Sequence, residues 1–402
     1  MITVEQAISE IMHRLPIGRP VHCPLDESVG LILSEDIQSD IDSPPYDKSL
    51  VDGYAVIASD IQTNTRLEIL EEVMAGQTPT QTLRPGTAIE IMTGAPLPAG
   101  ADAVVMVEQT TREDSVVWIQ QDTIAPETNV MRQATSLSKG QTVLAKGTLI
   151  RPIEIGILAE IGCPNVPVYQ RPTLSVISTG DELVNASEIP EGGQIRNSNG
   201  PLLSALGNAC GAQARSLGIG LDNFEALSEL VEQGLEADIL VLSGGVSAGV
   251  KDLVPGVLAH HQVMQVFHKV QLKPGKPIWF GIAKSQTQTT LVFGLPGNPV
   301  SSLVCFLLFV APAIYKLLGS QRNALVSRTA RLTDDFTQRG DRPTYFPACL
   351  TEQDGVHYVT TLAWKGSADQ NTLSQANGLA FFEAGEQFFT KGSEITVYEI
   401  PS

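Results

Sequence analysis

The sequence predicts a multi-domain α/β fold with a doubly wound α/β domain, an inserted β-rich domain, an N-terminal α/β segment and a C-terminal small β-barrel-like domain. Three observations predict this fold class. The chain has 402 residues, more than one hydrophobic core normally serves. Apolar strands alternate with helical patterns between residues 172 and 322, which is typical of a parallel sheet covered by helices on both faces. Residues 45–139 and 323–402 instead show short β-branched runs between turn residues.

The N-terminal segment combines residues 1–44 with residues 140–171. Apolar residues from Val4 to Leu15 recur at the spacing of one helix face, and Thr3 is placed to cap that helix. A similar apolar pattern runs from Ile153 to Ile161. Because the two pieces resemble each other in composition, we expect them to form one domain, with the β-rich residues inserted between them.

Two parts of the chain are predicted to contain β-structure and little helix. In residues 45–139, runs such as Val104–Val107 and Val116–Ile119 are separated by Gly and Pro, and no strong helical pattern occurs. In residues 323–402 the helical period is lost, and Ile395–Tyr398 is a β-branched and aromatic run near the end. We therefore expect a β-rich inserted domain and a small β-barrel-like C-terminal domain.

The α/β domain is assigned to residues 172–322. Its predicted strands are Thr173–Ser178, Asp238–Ser243, Ile278–Ile282 and Leu291–Phe293. Its predicted helices are Pro201–Cys210, one that begins at Asp222, Leu253–His260 and Pro299–Leu318. Ligands bind such sheets at the carboxyl ends of the strands, so the loops that follow the strands are the candidate site.

The longest apolar run is a candidate core helix. It extends over 13 residues from Leu303 to Tyr315 and contains Pro312. Since a membrane-spanning helix needs about 20 apolar residues, we expect this run to be buried in the protein.

The net charge limits which binding partners are expected, and the cysteines indicate the cellular compartment. The formal net charge is −18, which disfavours nucleic acid and anionic membranes as partners. Solubility is the simplest explanation of this acidity. The five cysteines are dispersed and no signal peptide precedes them, so we expect reduced thiols in a cytoplasmic protein.

Four strand-end loops have an unusual composition: Ser178–Glu182, Ser243–Gly249, Lys273–Pro277 and Gly294–Pro299. Gly244 and Gly245 in the second loop have no Cβ, so that backbone N–H groups can approach an anion, and Ser247 adds a hydroxyl. A plain tight turn explains the glycines of this loop about equally well.

A group of lysines strengthens the prediction of an anion site. Lys269, Lys273 and Lys276 lie within eight residues of one another in an acidic chain. Ammonium groups beside an N–H-rich loop suit phosphate or another tetrahedral oxyanion. The alternative is a solvated basic turn. In the last loop Asn298 and Pro299 can begin a helix whose first turn contains Ser301. Helix capping is sufficient to explain an asparagine at position 298.

Carboxylates accompany these loops at predicted strand ends and helix starts. They are Asp181, Glu182, Asp222 and Asp252. Sites that act on phosphate esters commonly hold Mg²⁺ through one or two carboxylates. Helix capping is the alternative role, strong for Asp222 and moderate for Asp252.

Six motifs in order resemble one family over essentially the whole chain. Besides the four loops, they are Asp52-Gly53-Tyr54-Ala55 and Met92-Thr93-Gly94-Ala95. On these residues the chain resembles the MoeA family, which includes the gephyrin E domain. The resemblance implies molybdopterin molybdenumtransferase activity: molybdate is inserted into adenylylated molybdopterin with Mg²⁺, and AMP is released.

The resemblance also implies an assembly and the roles of individual residues. It implies a homodimer with a cleft shared between subunits, a linker and dimerisation role for the N-terminal domain, and molybdopterin adenylyltransferase as a pathway partner. The implied catalytic residues are Asp52, Thr93, Glu182, Asp222 and Asp252, of which Asp222 and Asp252 would bind the metal. The implied substrate-binding residues are Gly244, Gly245, Ser247, Lys269, Lys273, Lys276, Pro296, Pro299 and Ser301.

Departures from the family pattern keep two other functions open. Glu90 replaces a common arginine, and Ala134–Ser136 and Arg196–Asn197 replace more acidic sequences. One alternative is a molybdopterin-binding scaffold without turnover. The other is a molybdopterin adenylyltransferase, which normally consists of the α/β domain alone.

Overall fold

The structure is a computed structural model that describes residues 1–16, 18–246, 253–286, 288–320 and 325–401. The chain divides into two compact units. The first unit contains Met1–Ser34, Leu149–Arg151 and Pro167–Ser402, and the second contains Glu35–Thr148 and Pro152–Val166. The domain bounds expected from the sequence follow a different division and stay a prediction.

A six-stranded sheet forms the centre of the first unit. Its strands are β1 (Thr173–Thr179), β2 (Gln213–Gly220), β3 (Ile239–Ser243), β4 (Met264–His268), β5 (Trp279–Lys284) and β6 (Thr289–Leu295). They lie in the order β2-β1-β3-β6-β5-β4. The strands β2, β1, β3 and β6 are parallel, whereas β5 and β4 are antiparallel to their neighbours.

The antiparallel edge corrects the expectation of a wholly parallel sheet. The chain passes from β5 to β6 through only residues 285–288, and a parallel crossover needs a dozen residues or more. Strands β2 and β4 were also not predicted, because neither contains a continuous apolar run. The doubly wound α/β architecture itself is confirmed.

Helices cover both faces of the sheet. The α-helices of the first unit are Val4–Arg14, Asn199–Ala209, Phe224–Gly234, Val254–His260, Pro299–Cys305, Ala311–Leu317 and Gln370–Leu373. A π-helical turn at Phe306–Val310 connects Pro299–Cys305 to Ala311–Leu317. Along β1, Val176 belongs to the same hydrophobic core as Leu203, whereas the next residue, Ile177, belongs to a second core with Leu227 and Val257. Alternate side chains of a buried strand thus enter two cores, which is why the strand sequences are almost continuously apolar.

The long apolar helix is part of the first of these cores. It extends over 19 residues from Pro299 to Leu317, and 89% of its most apolar window is buried within the protein. Its length and composition also suit a membrane span, but burial of this extent is typical of a core helix. The expectation of a buried helix is confirmed.

The first helix begins as the sequence predicts. Gln6 N donates to Thr3 Oγ1 at 3.2 Å, and Thr3 N donates to Gln6 Oε1 at 3.0 Å. This reciprocal pair satisfies two backbone donors at the helix start. Val4, Ala7 and Ile11 are buried, as their spacing indicates.

The C-terminal residues form a closed barrel, which confirms the predicted β-barrel-like domain. The barrel strands are Ser327–Leu332, Val356–Thr361, Thr344–Gln353, Gly378–Phe382 and Glu394–Glu399, in this order around the barrel. Val359, Phe382 and Val397 fill its interior. A separate strand pair is formed by Phe336–Gln338 and Gln387–Phe389.

The second unit contains another six-stranded sheet. In spatial order its strands are Ala103–Met106, Gly53–Val56, Thr87–Ile91, Arg66–Val73, Val116–Ile119 and Thr110–Glu113. Short pairs join Lys48–Ser49 to Val130–Met131 and Ile37–Gln38 to Thr142–Leu144, and the α-helix of the unit is Pro152–Glu160. The remaining short strands of the chain are Pro20–Pro24, Asn165–Tyr169, Leu183–Val184 and Ile195–Arg196.

Three neighbouring phenylalanines with tilted rings offer a test of the first core. Phe280 is fully buried, and its ring lies 5.3 Å from that of Phe267 and 4.9 Å from that of Phe293. We expect Phe280→Ala to lower the free energy of unfolding of the α/β domain by about 3–5 kcal/mol, because it leaves a cavity. Calorimetric melting would measure the change. The control is Phe388→Ala, at a side chain that is 63% exposed, which should change the free energy of unfolding by less than about 0.5 kcal/mol. Equal losses of stability in the two variants would contradict the assignment of Phe280 to the core.

Candidate functional site

A polar cavity lies at the carboxyl ends of the parallel strands, where the fold class predicts a ligand. Its volume is about 480 Å³. We call it the glycine cavity. The predicted site residues that line it are Glu182, Asp222, Gly244, Gly245 and Pro299.

Local packing explains the two glycines of this cavity. Gly244 and Gly245 have φ angles of +98° and +64°, a region that residues with a side chain rarely adopt. A Cβ on Gly244 would lie 2.7 Å from Thr179 O, and one on Gly245 would lie 2.7 Å from Val254 Cγ2. The tight-turn interpretation is therefore sufficient for both glycines, whether or not a ligand approaches them.

The carboxylates of the cavity come from two strand-end loops. Asp222 N donates to Asp181 Oδ1 at 2.9 Å, which joins the loop after β1 to the loop after β2. Asp222 does not cap the next helix, because Asn223 Oδ1 accepts from Ala226 N at 3.1 Å and takes that role. Glu182 lines the same cavity. Asp252 and Ser247, two further predicted site residues, lie outside the described residues.

The polar floor of the glycine cavity consists of Ser178, Asn197 and Asn199. Asn197 Oδ1 accepts from Gly200 N at 3.0 Å, and Asn199 Nδ2 donates to Ser243 Oγ at 2.8 Å. Neither Ser178 nor Asn199 was among the individual site residues predicted from the sequence, although Ser178 begins the first of the four predicted loops. Their position is the signal that points to them: Ser178 is the next-to-last residue of a buried strand, and Asn199 begins the helix packed beside it.

A second cavity contains the lysines. Its volume is about 540 Å³, and we call it the basic cavity. Lys273, Lys276 and Ser301 line it, together with Arg342 and Lys365 of the C-terminal domain. No acidic residue lines it in the part of the chain that the structure describes. Four cations around one cavity in a chain of net charge −18 indicate a site for an anion.

The C-terminal domain fixes the lysine turn in place. Lys273 N donates to Pro343 O and Tyr345 N donates to Lys273 O, both at 2.8 Å, while Arg342 Nη1 donates to Leu272 O at 3.0 Å. Arg342 and Lys365 were missed in the sequence because they belong to segments without a glycine-rich loop. Only the barrel brings them beside Lys276.

One segment of the C-terminal domain lines both cavities. Gly366 and Ser367 line the basic cavity, whereas Ala368 and Gln370 line the glycine cavity. Val300 N donates to Ser367 O at 3.0 Å, which fastens the segment to the start of the long helix. We call residues 366–370 the shared wall.

Two predicted substrate-binding residues lie outside both cavities. Lys269 has a φ angle of +72°, and its N–H donates to Ile278 O at 2.8 Å. Pro296 O accepts a hydrogen bond from the Ser302 hydroxyl. Lys273 and Lys276 thus line the basic cavity and Gly244 and Gly245 line the glycine cavity, whereas Lys269 lines neither.

Asp52 and Thr93 form a hydrogen-bonded pair in the second unit. Thr93 donates to Asp52 Oδ1 through Oγ1 and through its backbone N, each at 2.7 Å. These two bonds lower the pKa of the Asp52 carboxyl below its ordinary value, and the bond from the Thr93 hydroxyl has the larger effect. An exposed, ionised carboxylate is thus held in one orientation at neutral pH. A Cβ on the adjacent Gly53 would lie 1.9 Å from Val105 O, so this position requires glycine.

The residues that depart from the family pattern form hydrogen bonds or ion pairs with their neighbours. Glu90 forms an ion pair with Arg112, and burial raises the pKa of Glu90 although Arg112 opposes the change. Arg196 lines the glycine cavity, and its Nε donates to Glu188 O at 2.8 Å. Ala134 N donates to Pro44 O at 3.0 Å.

Three family descriptions match the chain in succession. They are "MoeA N-terminal region (domain I and II)" over residues 2–162, "Probable molybdopterin binding domain" over residues 175–316 and "MoeA C-terminal region (domain IV)" over residues 329–400. The glycine loop and the lysine turn fall in the second match, whereas Arg342, Lys365 and the shared wall fall in the third. The matches therefore include both cavities.

Individual relatives agree with these matches. The molybdopterin molybdenumtransferase of Nostoc sp. is 37% identical over 381 residues, which cover 92% of this chain and 87% of that protein. The molybdopterin molybdenumtransferase of Bacillus subtilis is 31% identical and covers 98% of this chain and 93% of that protein. The crystal structure of the molybdopterin biosynthesis MoeA protein from Pyrococcus horikoshii superposes with a TM-score of 0.87 at 30% identity, covering 100% of both chains. The chain therefore belongs to the MoeA family.

Proposed function

We propose that the protein is a molybdopterin molybdenumtransferase, which inserts molybdate into adenylylated molybdopterin and releases AMP. The observation that carries the proposal is the pair of adjacent cavities. The described residues that line one of them include four cations and no acid, and the other is lined by carboxylates, amides and hydroxyls. Such a pair suits a small oxyanion beside a larger polar substrate. The names of the relatives support this activity.

The basic cavity is the proposed molybdate site. Molybdate is a tetrahedral dianion, and ammonium and guanidinium groups bind such anions by charge-assisted hydrogen bonds. Lys273, Lys276, Arg342 and Lys365 provide the charge, and the Ser301 hydroxyl adds a neutral donor. The sulfur ligands of molybdenum would come from the pterin substrate, as the resemblance to the family implies, and the described residues that line this cavity include no cysteine.

The glycine cavity is the proposed site of adenylylated molybdopterin. Its carboxylates, Glu182 and Asp222, are the oxygen donors that Mg²⁺ prefers, so these residues fit the ion. Asp222 would hold Mg²⁺ together with Asp252, which lies outside the described residues. Bound Mg²⁺ would neutralise charge on the phosphate oxygens, while Glu182 orients the substrate or a water molecule.

The proposed enzyme is a homodimer in which the cleft of one subunit is completed by the other. Asp52 and Thr93 are then contributed by the partner, which the resemblance to the family implies. Their hydrogen-bonded arrangement supports such a role, because an exposed carboxylate with a lowered pKa is prepared to bind a metal ion or orient water. We further propose a cytoplasmic location and a molybdopterin adenylyltransferase as the enzyme that supplies the substrate.

A turnover assay tests the proposal. The full-length protein is mixed with adenylylated molybdopterin, Mg²⁺ and molybdate, and released AMP is measured by chromatography. We expect AMP release that depends on molybdate and is lost with a chelator. Tight substrate binding without AMP release would instead indicate a scaffold, and adenylylation of molybdopterin from ATP would indicate an adenylyltransferase. Sedimentation at assay concentration tests the dimer.

A further inference from the structure

A third cavity lies at the edge of the central sheet opposite to the glycine cavity. Pro172, Asp238 and Thr289 line it, and these residues lie at or directly before the first residues of β1, β3 and β6. The glycine cavity lies at the carboxyl ends of the same three strands. The volume of the third cavity is about 400 Å³, and we call it the arginine cavity. The proposed function makes no use of it.

Three cationic side chains and one carboxylate line the arginine cavity in the described part of the chain. The cations are Arg19, Arg171 and Lys284, and the carboxylate is Asp238. The whole chain has 26 lysines and arginines against 44 acidic residues, so the excess of cations here is contrary to its composition. A local excess of positive charge on an acidic protein attracts small anions to that position.

The carboxylate of Asp238 is engaged by the start of β1 and does not neutralise the three cations. Its Oδ2 accepts from Thr173 N at 2.8 Å and from Thr173 Oγ1 at 2.9 Å. Its Oδ1 lies 3.7 Å from Arg19 Nη2, a distance that allows an ion pair but exceeds that of a hydrogen bond. One negative charge, hydrogen-bonded to β1, therefore stands beside three positive charges.

Most donor groups of the three cations are available to a ligand. Among the described residues Lys284 has no hydrogen-bond or ion-pair partner, and its side chain is exposed. Arg171 Nη2 donates to Val29 O at 3.4 Å, which is a long hydrogen bond. A guanidinium carries several N–H donors and binds two oxygens of a phosphate or carboxylate at once. The two arginines and the lysine therefore suit an anion with several oxygens.

The arginine cavity is large enough for more than an inorganic anion. Cavities of about 300–1,000 Å³ are typical of small-molecule sites, and this one falls in that range. Pro16, Gly18 and Leu317 add an apolar part to its lining. A Cβ on Gly18 would lie 2.0 Å from Leu317 O, so only glycine allows the chain to pass this close to the end of the long helix.

We propose that the arginine cavity is a second ligand site, specific for the phosphate monoester of a small organic molecule. Arg19, Arg171 and Lys284 bind the phosphate dianion by charge-assisted hydrogen bonds, and the apolar part of the lining contacts the organic group. The site lies at the amino ends of the parallel strands, away from the proposed transferase site. Its occupation is therefore a property independent of the proposed function.

Calorimetric titration with three matched probes tests the site. The full-length Lys273→Ala with Lys276→Ala variant is the parent protein, because it lacks two cations of the basic cavity that would bind the same probes. Phenyl phosphate carries a dianion and a ring, inorganic phosphate lacks the ring, and benzoate has a single carboxylate. We expect phenyl phosphate to bind about tenfold more tightly than either other probe. Equal affinity for benzoate or for inorganic phosphate would overturn the assignment of a phosphate monoester.

Charge variants of the parent protein show whether binding occurs in the arginine cavity. Replacing Arg19, Arg171 and Lys284 together by glutamine should weaken phenyl phosphate binding by about 10- to 100-fold, because charge-assisted hydrogen bonds are lost. The matched control makes the same change of net charge at three exposed cations that line none of the three cavities: Arg66→Gln, Lys139→Gln and Lys391→Gln. Its affinity should stay within about twofold of the parent. Equal losses in the two triple variants would overturn the site.

Replacement of Asp238 by asparagine changes the affinity in the opposite direction and retains all three cations. Asparagine keeps a side-chain oxygen that can accept from Thr173, but it removes the negative charge beside the cations. We expect phenyl phosphate to bind about threefold more tightly, as the loss of one partly exposed charge allows. The control is Glu236→Gln, at an exposed acid that does not line the cavity, which should leave the affinity unchanged. Weaker binding by Asp238→Asn, or an equal gain in Glu236→Gln, would overturn the proposal.

Discussion

Replacement of Asp52 by alanine is expected to lower the rate of AMP release by about 10²- to 10⁴-fold, the contribution typical of a positioned acid or base. The carboxylate is exposed and accepts its hydrogen bonds from Thr93 within the described part of the chain, so the fold should survive its loss. Circular dichroism and thermal melting should be unchanged. Glu108→Ala removes an exposed carboxylate of the same unit and is the control, for which we expect wild-type turnover.

The hydrogen bonds to Asp52 also predict the direction of a change in pH dependence. Because Thr93 lowers the pKa of Asp52, the carboxylate stays ionised down to pH values below its ordinary range of about 3.9. Thr93→Val removes the hydroxyl donor, so the pKa of Asp52 rises and activity should begin to fall at a higher pH on acidification. A pH–rate profile measures this. An acid limb that is identical in both proteins, or near-wild-type activity of Asp52→Ala, would remove Asp52 from the mechanism.

Removal of both cavity lysines, Lys273→Ala with Lys276→Ala, is expected to weaken molybdate binding by about 10- to 100-fold. Both side chains line the basic cavity, and no carboxylate of the described lining residues offsets their charge. The difference between variant and wild type should grow as salt is lowered, because ions screen these partly exposed charges. Calorimetric titration with molybdate at two salt concentrations measures it.

A control with the same change of net charge separates the local from the general effect. Lys139→Ala with Lys391→Ala removes two exposed lysines that do not line either cavity. Its molybdate affinity should remain close to that of the wild type at every salt concentration. If the two double variants lose affinity equally, the lysine turn only contributes to the overall field of the protein.

Most of the architecture follows from patterns that the sequence displays directly. The strands β1, β3 and β6 are apolar on both faces and lie between helices, so period and composition identify them. The edge strands are different. In β2 most side chains are exposed or half-buried, and in β4 only Phe267 is buried, so their pairing depends on backbone hydrogen bonds that leave no periodic signal.

The candidate site was predictable where motifs mark it and not where distant segments meet. The loops that contain Gly244 and Lys273 were identified by composition, and each lines a cavity. Arg342 and Lys365 reach the basic cavity only because the barrel packs beside the lysine turn, a contact between segments about 70 to 90 residues apart in the chain.

The shared wall has a thermodynamic consequence. Residues 366–370 line both cavities, so a ligand that shifted this segment in one cavity would change the affinity of the other cavity for its own ligand. Linkage requires the effect to be reciprocal: if molybdate tightens nucleotide binding by some factor, the nucleotide must tighten molybdate binding by the same factor. Under the proposed function, each substrate would then act as an effector of the other across a single short loop.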